Sequence, residues 1–125
     1  LVLDWEENGI ASQGTMALNQ AITFVEGVRN KVGRYPVLYG GSLIKNSVGS
    51  SGSDILKKCP LWLAQYASSP SLPAGWGAYT MWQYTDGVHG PEPHSVAGIG
   101  NCDRDVFAGT PEQLEAFWKS GIQSV

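Results

Sequence analysis

The chain is 125 residues long and carries 8 Lys and Arg against 11 Asp and Glu, a net charge of −3 at pH 7; that length bounds it to one domain or a piece of one. Its 42% hydrophobic content supplies a core and excludes disorder, and no apolar run approaches the ~20 residues needed to cross a bilayer. Lys and Arg are few and scattered, which argues against nucleic acid, while 16 Gly, 7 Pro and 5 Trp describe a loop-rich fold with many large flat rings.

The chain opens on Leu1-Val2-Leu3, an apolar run of the kind found inside a sheet. Residues 1–6 are therefore predicted as a buried strand. No Met and no leader-like segment precede them, so the chain is expected to begin partway through a fold. Residues 16–32 are predicted as an amphipathic helix, because Leu18, Ala21, Ile22, Val25, Val28 and Val32 recur at three- and four-residue steps. Thr15 is its expected N-cap and Gly33 its stop. A second strand spans residues 35–39, entered through Pro36 and ended by Gly40-Gly41, and a short helix capped by Ser53 spans 53–58. Strands follow at 61–66 and 79–84, separated by Ser68-Ser69-Pro70-Ser71-Leu72-Pro73, which cannot be helical. Residues 101–107 form a fifth strand or extended segment. Thr110-Pro111-Glu112-Gln113 then opens the last helix, with Thr as cap, Pro in the first position and Gln three residues on. Leu114, Phe117, Trp118 and Ile122 mark its buried stripe.

Strand and helix alternate at first, which is the rhythm of a parallel sheet. The later half breaks it, since its strands are joined by loops alone. Gly98-Ile99-Gly100 sits in a loop and lacks the third glycine of a phosphate-cradling turn, which argues against a nucleotide. Cys59 and Cys102 both flank apolar runs, so a disulfide and buried free thiols both remain open.

Asp4 and Glu6 are the sharpest feature. On a strand, residues i and i+2 share a face, which sets the two about 6–7 Å apart at the backbone. They stand at the end of an apolar strand, where parallel sheets and barrels place their chemistry. Two carboxyls this close cannot both ionise freely, so one keeps its proton to higher pH. An acid beside a carboxylate is what glycosidic bond cleavage uses. The pair also reads as a strand running out into a solvated acidic turn with Glu7, and a motif this short does not decide between the two. Asp103 and Asp105 repeat the spacing near the last strand. They read either as a surface loop paired through Arg104 or as part of an acidic pocket with Asp4 and Glu6, suited to sugar hydrolysis or to Mg²⁺.

Tyr39, Trp62, Tyr66, Trp82 and Tyr84 all fall at or near strand ends. Aromatic faces stack on pyranose rings, but aromatics also dominate cores, so a split is expected, with two or three lining a cleft. His89 and His94 lie in a Pro/Gly-rich loop without ligand spacing.

Five segments together resemble the ordered motifs of the glycoside hydrolase family 25 lysozymes, the Chalaropsis-type muramidases: Leu1-Val2-Leu3-Asp4-Trp5-Glu6, Tyr35-Pro36-Val37-Leu38-Tyr39, Leu61-Trp62-Leu63-Ala64-Gln65-Tyr66, Met81-Trp82-Gln83-Tyr84-Thr85-Asp86-Gly87 and Cys102-Asp103-Arg104-Asp105-Val106-Phe107-Ala108-Gly109. The resemblance implies an α/β fold, an irregular β/α (TIM-like) barrel with reduced helices, of which this chain supplies only the later strands and helices. Residues 1–125 would then be the C-terminal part of a single catalytic domain. The implied activity is hydrolysis of the β-1,4 bond between N-acetylmuramic acid and N-acetylglucosamine in peptidoglycan, by a retaining, substrate-assisted route without cofactor or metal.

The same resemblance assigns Glu6 as general acid, Asp4 as the carboxylate that orients the substrate's acetamido group, and Asp103 as the acidic residue at the end of the last strand. It places Tyr39 and Trp62 along the groove, and Tyr66 and Trp82 are expected to join them. Trp5 should pack away from the carboxylates, and Asp105 stands where the family commonly has Asn. The expected partner is the glycan strand of peptidoglycan, with no nucleic acid and no membrane insertion. From the substrate alone, the place of action is extracellular, cell-wall or periplasmic. One departure is that nothing here matches the family's earlier strands and their active-site Asp. The isolated 125 residues are therefore expected to show little lysis, whereas a chain carrying the missing N-terminal part would be active; a non-catalytic glycan-binding remnant is the alternative.

Overall fold

The computed structural model describes residues 1–120. One sheet runs in the order β1 (Val2–Asp4), β2 (Val37–Gly40), β3 (Leu61–Ala64), β4 (Met81–Thr85) and β7 (Arg104–Phe107), while β5 (Ser95–Val96) and β6 (Gly100–Asn101) form a separate hairpin. The first four strands of the sheet are parallel and β7 is antiparallel to β4. Helix α1 (Leu18–Val32) links β1 to β2. Helix α2 (Ser42–Val48) and a 3-10 turn at Leu56–Lys58 link β2 to β3, and α3 (Pro111–Ser120) ends the described chain. This is a mixed α/β fold with a mostly parallel sheet, an arc of a β/α barrel with few helices.

Strand alternation divides the side chains between two faces. Leu3, Leu38, Leu61 and Leu63 project toward α1 and α2 and pack with Ala21, Val25, Ile44 and Val48. Each fully buried aliphatic side chain contributes about 1.5–3 kcal/mol, so this layer holds the arc together. Val37 and Met81 lie on the other face, where Phe117 of α3 closes on them together with Phe107 and Trp62. The second face is therefore plugged at the N-terminal ends of its strands and left open at their C-terminal ends.

Several elements differ from expectation. The first strand stops at Asp4, so Glu6 lies beyond it. The N-cap of α1 is Ala17, whose N–H donates to the Gln20 side chain at 2.8 Å; Thr15 instead accepts the Asn8 N–H at 3.0 Å and ties down the preceding loop. Gly33 ends α1 as predicted, at φ +82° with its N–H donating to the Arg29 carbonyl. The buried stripe of α1 is narrower than its periodicity, since Val32 is 51% exposed. Helix α2 was not predicted. The segment predicted as a helix at 53–58 closes instead as the 3-10 turn, with Ser53 Oγ accepting the Leu56 N–H at 3.2 Å. Residues 67–80 contain no helix, as expected. The extended segment at 101–107 divides into β6 and β7.

The last helix carries the full predicted cap. Thr110 Oγ1 accepts the Gln113 N–H at 3.2 Å, and the Gln113 side chain accepts the Thr110 N–H at 2.8 Å. Phe117 is buried, Trp118 is 55% exposed against expectation, and Ile122 lies outside the described residues. Cys59 and Cys102 are both free, and burial pushes the Cys59 thiol up to about 12, which makes it an inert core group.

Candidate active site

The site is built where β1 runs out. Trp5 continues the pairing for one residue, its N–H donating to the Tyr39 carbonyl at 2.9 Å. Its ring is buried on the helix side, with Nε1 donating to the Met16 carbonyl at 2.8 Å. Anchored this way, Trp5 packs away from the carboxylates as expected and leaves Asp4 and Glu6 together on the open face. The Glu6 carboxyl shares this face with Asp4, and a side-chain hydrogen bond to Asp4 is the largest influence on its pKa. That bond, then burial, then the Asp4 charge raise the Glu6 pKa above its ordinary value. Glu6 is therefore the member of the pair that holds a proton as pH rises.

Two cavities meet at this pair. The smaller, about 240 Å³, is lined by Val2, Asp4, Tyr39, Trp62, Gln83, Asp103 and Asp105. The larger, about 320 Å³, is lined by Glu6, Glu7, Gly41, Ser42, Leu43, Ala64, Gln65 and Tyr66. The register Asp4 to Tyr39 to Trp62, with Gln83 opposite Asp105, puts the smaller set on one sheet face. Asp103 precedes β7, whose first residue pairs with the C-terminal end of β4. It thus reaches the same mouth as Asp4 and Glu6. All three charges act on Tyr39, whose hydroxyl is raised well above the usual phenol range, chiefly by burial. Tyr39 is accordingly a neutral donor, and its hydroxyl donates a hydrogen bond to Gln83 Oε1.

Trp62 stands edge-on to Tyr39 with ring centroids 5.2 Å apart, and its Nε1 donates to Asp105 Oδ1 at 2.7 Å. Desolvation raises the Asp105 pKa, the Trp62 bond opposes this, and the Asp103 charge adds to the rise. Tyr66 lies on the wall of the larger cavity, its hydroxyl raised by burial and then by the charges of Asp86, Asp103, Glu6 and Asp105.

Of the predicted site residues, Asp4, Glu6, Asp103, Tyr39, Trp62 and Tyr66 come together at this mouth. Trp82 does not. It pairs with Leu63 and so projects from the opposite face of the sheet, where its ring meets Tyr79 and Tyr84. Its Nε1 donates to the Gln65 carbonyl at 2.8 Å, so it supports the cavity wall from behind. Sequence reasoning missed Gln83 and Gln65 and left Asp105 without a role. The available signal was a polar residue alternating with apolar ones in β4, and the i, i+2 step from Asp103 to Asp105.

Outside this mouth, Asp86 accepts the N–H groups of Val88 and His89 at 2.9 and 2.7 Å and pairs with His89 Nδ1 at 2.8 Å. The backbone and side chain of His89, then the Val88 N–H, hold its carboxyl well below the usual range. His94 Nε2 lies 2.8 Å from the Gly90 carbonyl. Both histidines thus organise their own loop. No group of three His, Cys, Asp or Glu side chains among the described residues is arranged to hold a metal ion.

The chain is 31% identical over 114 residues to the N,O-diacetylmuramidase of Arthroderma benhamiae, covering 90% of this chain and 43% of that protein. The muramidase of Trichobolus zukalii superposes with a TM-score of 0.66 at 29% identity, covering 92% of this chain and 53% of that one. A bacterial lysozyme from Streptomyces coelicolor superposes with a TM-score of 0.69 at 27% identity, covering 92% and 54%. The chain thus spans about half the length of the proteins it matches. Residues 1–92, which include the acid pair, β2, β3, β4 and the Asp86 loop, match the sequence pattern described as Glycosyl hydrolases family 25, and the chain belongs to that family.

Proposed function

We propose that this domain works as a peptidoglycan muramidase, cleaving the β-1,4 bond between N-acetylmuramic acid and N-acetylglucosamine with retained configuration and with help from the substrate's own acetamido group. The convergence of Glu6, Asp4 and Asp103 with Tyr39, Trp62 and Tyr66 at one mouth carries the reading. Asp4 and Glu6 stand two residues apart on the open face, and carboxyls held close together suit a retaining route better than the wider spacing an inverting one needs. In the first step Glu6 gives its proton to the glycosidic oxygen as the C1–O bond breaks, and the acetamido oxygen bonds to C1. Asp4 accepts the acetamido N–H and, with Asp103, supplies negative potential to the cationic ring that forms. Water then attacks C1 as the bond from C1 to the acetamido oxygen breaks, the Glu6 carboxylate takes the water's proton, and the acetamido group and both carboxyls return to their starting state. Tyr39, Trp62 and Tyr66 offer ring faces along the groove. The substrate places this chemistry in the cell wall, outside the membrane; no helix among the described residues is long and apolar enough to cross one.

A second reading, glycan binding without turnover, has one observation in its favour. Tyr39, Trp62 and Tyr66 line the two cavities and would hold a glycan whether or not the carboxyls act on it. Clearing of a peptidoglycan suspension, with NMR of the first product, separates the two. The muramidase reading expects lysis by a longer chain carrying upstream residues, the β-anomer formed first, and in that chain a loss of at least about 10³-fold for Glu6→Gln with the circular dichroism spectrum unchanged. An α-anomer overturns the retaining route. Glycan bound without product by this chain and by a longer one carrying upstream residues establishes the second reading instead.

A further inference from the structure

The smaller cavity contains an amide that the proton chemistry does not use. In β4, Met81 and Gln83 alternate onto one face of the sheet. Met81 joins the plug beside Phe117. Gln83 lies one layer above it, 4% exposed, and lines the cavity with Asp4, Tyr39, Trp62, Asp103 and Asp105. Its Oε1 accepts the Tyr39 hydroxyl, which turns the other end of the amide away from Tyr39. Among the described residues Nε2 has no protein partner, yet no buried side-chain nitrogen or oxygen there is left unpaired. Nε2 therefore opens on the cavity. Accepting the Tyr39 hydroxyl needs only an oxygen, and an amide nitrogen with nothing to meet costs free energy once water leaves the site.

The other polar side chains of the cavity have no donor to spare. The Tyr39 hydroxyl is committed to Gln83, and Trp62 Nε1 is committed to Asp105 Oδ1 at 2.7 Å. Ionised Asp4, Asp103 and Asp105 only accept. Their carboxylates receive hydroxyl and N–H groups at many points, but an oxygen with no hydrogen to offer meets a side-chain donor only at Gln83 Nε2. On an N-acetylated sugar the acetamido carbonyl is the strongest such acceptor, and the surrounding carboxylates would otherwise repel it. We propose that Gln83 Nε2 binds the carbonyl oxygen of the substrate's acetamido group while Asp4 accepts the N–H of the same group, so that the two residues together fix the acetamido plane. The carbonyl oxygen has two lone pairs, so one can meet Nε2 while the other faces C1. This assignment rests on the muramidase reading and adds to it a residue that holds the substrate without exchanging a proton.

NMR titration of the chain, with isotope-labelled side-chain amides, against N-acetylmuramic acid and its thioacetamido analogue tests this, because the thiocarbonyl sulfur is the weaker acceptor. The Gln83 side-chain N–H signals should move downfield as N-acetylmuramic acid is added, and that sugar should bind about 3–10-fold more tightly than the analogue. Tyr39→Phe keeps the amide and should keep the preference. Tyr39→Phe combined with Gln83→Met removes the donor without freeing a hydroxyl to replace it, and should bind the two sugars alike. The Gln83 signals and the preference of the parent chain need no variant, so they decide the matter even where the double variant does not fold. Gln83 signals that stay in place while the Trp62 Nε1–H signal moves, or a preference that survives in the double variant, overturn the assignment. If a longer chain cuts peptidoglycan while the two sugars bind alike, only the Gln83 assignment fails. If neither sugar binds and the longer chain cuts nothing, the muramidase reading falls and takes this one with it.

Discussion

The pairing of Asp4 with Glu6 sets the chemistry through a single proton, and this gives a sign that can be measured. Glu6 is raised chiefly by its bond to Asp4, so the acid form is present below its pKa and is lost as pH rises through it. Asp4→Asn removes the charge and should move the Glu6 titration to lower pH. Carboxyl NMR of Glu6 in the two proteins checks this, and an unmoved midpoint would mean that Asp4 does not hold the proton in place. The i, i+2 spacing already placed both groups on one face, and their like charge already required unequal titration. The raised Glu6 pKa comes from its interaction with Asp4 and from burial, and burial is something no spacing describes. Trp82 teaches the converse. Its type suited a sugar groove, but register with Leu63 sent it to the other face.

At the level of elements, what was legible depended on how much local chemistry marked each one. The cap of α3 was readable because Thr110 and Gln113 satisfy each other's backbone donors without help from the rest of the chain. Helix α2 was not, because it is only seven residues long, lies among Gly and Ser, and has no side-chain cap. Its signal was the i, i+4 pair Ile44 and Val48, which becomes meaningful only once both are buried. The same region holds a steric constraint hidden from sequence. A Cβ on Gly40 would lie 2.5 Å from the Trp5 carbonyl oxygen and 2.9 Å from Ile44 Cδ1. Gly40→Ala should therefore destabilise the fold by about 1–3 kcal/mol, seen as a lower midpoint in chemical denaturation. A midpoint unchanged from the parent would show that β2 does not press against the β1 exit and α2.

Across the whole molecule, the acidic mouth is held at a cost in stability. Glu6 and Asp105 both have raised pKa values, so the folded chain binds their protons more tightly than the unfolded chain does. The stability they contribute is complete below their unfolded values and is lost as pH rises through the folded ones. Glu6→Gln with Asp105→Asn keeps polar partners for Asp4 and Trp62 while removing both charges. The double variant should melt a few degrees above the parent at pH 7, and the difference should vanish near pH 3, where both carboxyls are protonated in either state. An equal difference at both pH values would point to packing as its cause. Asp86 has the opposite sign. Its lowered pKa gives a contribution present above the unfolded value and lost as pH falls through the folded one.

Read alone, the sequence determined the alternation of strands and helices, the ordered motifs of the family and the acid pair at the end of β1. Each of these rests on neighbours a few residues apart, through backbone periodicity, caps and like-charge proximity. Tertiary structure decided which aromatics face the groove, where Asp103 joins Asp4 and Glu6, and why Gln83 and Asp105 have the partners they do. Those outcomes depend on strand register and on the antiparallel return of β7, which bring together residues far apart in the chain.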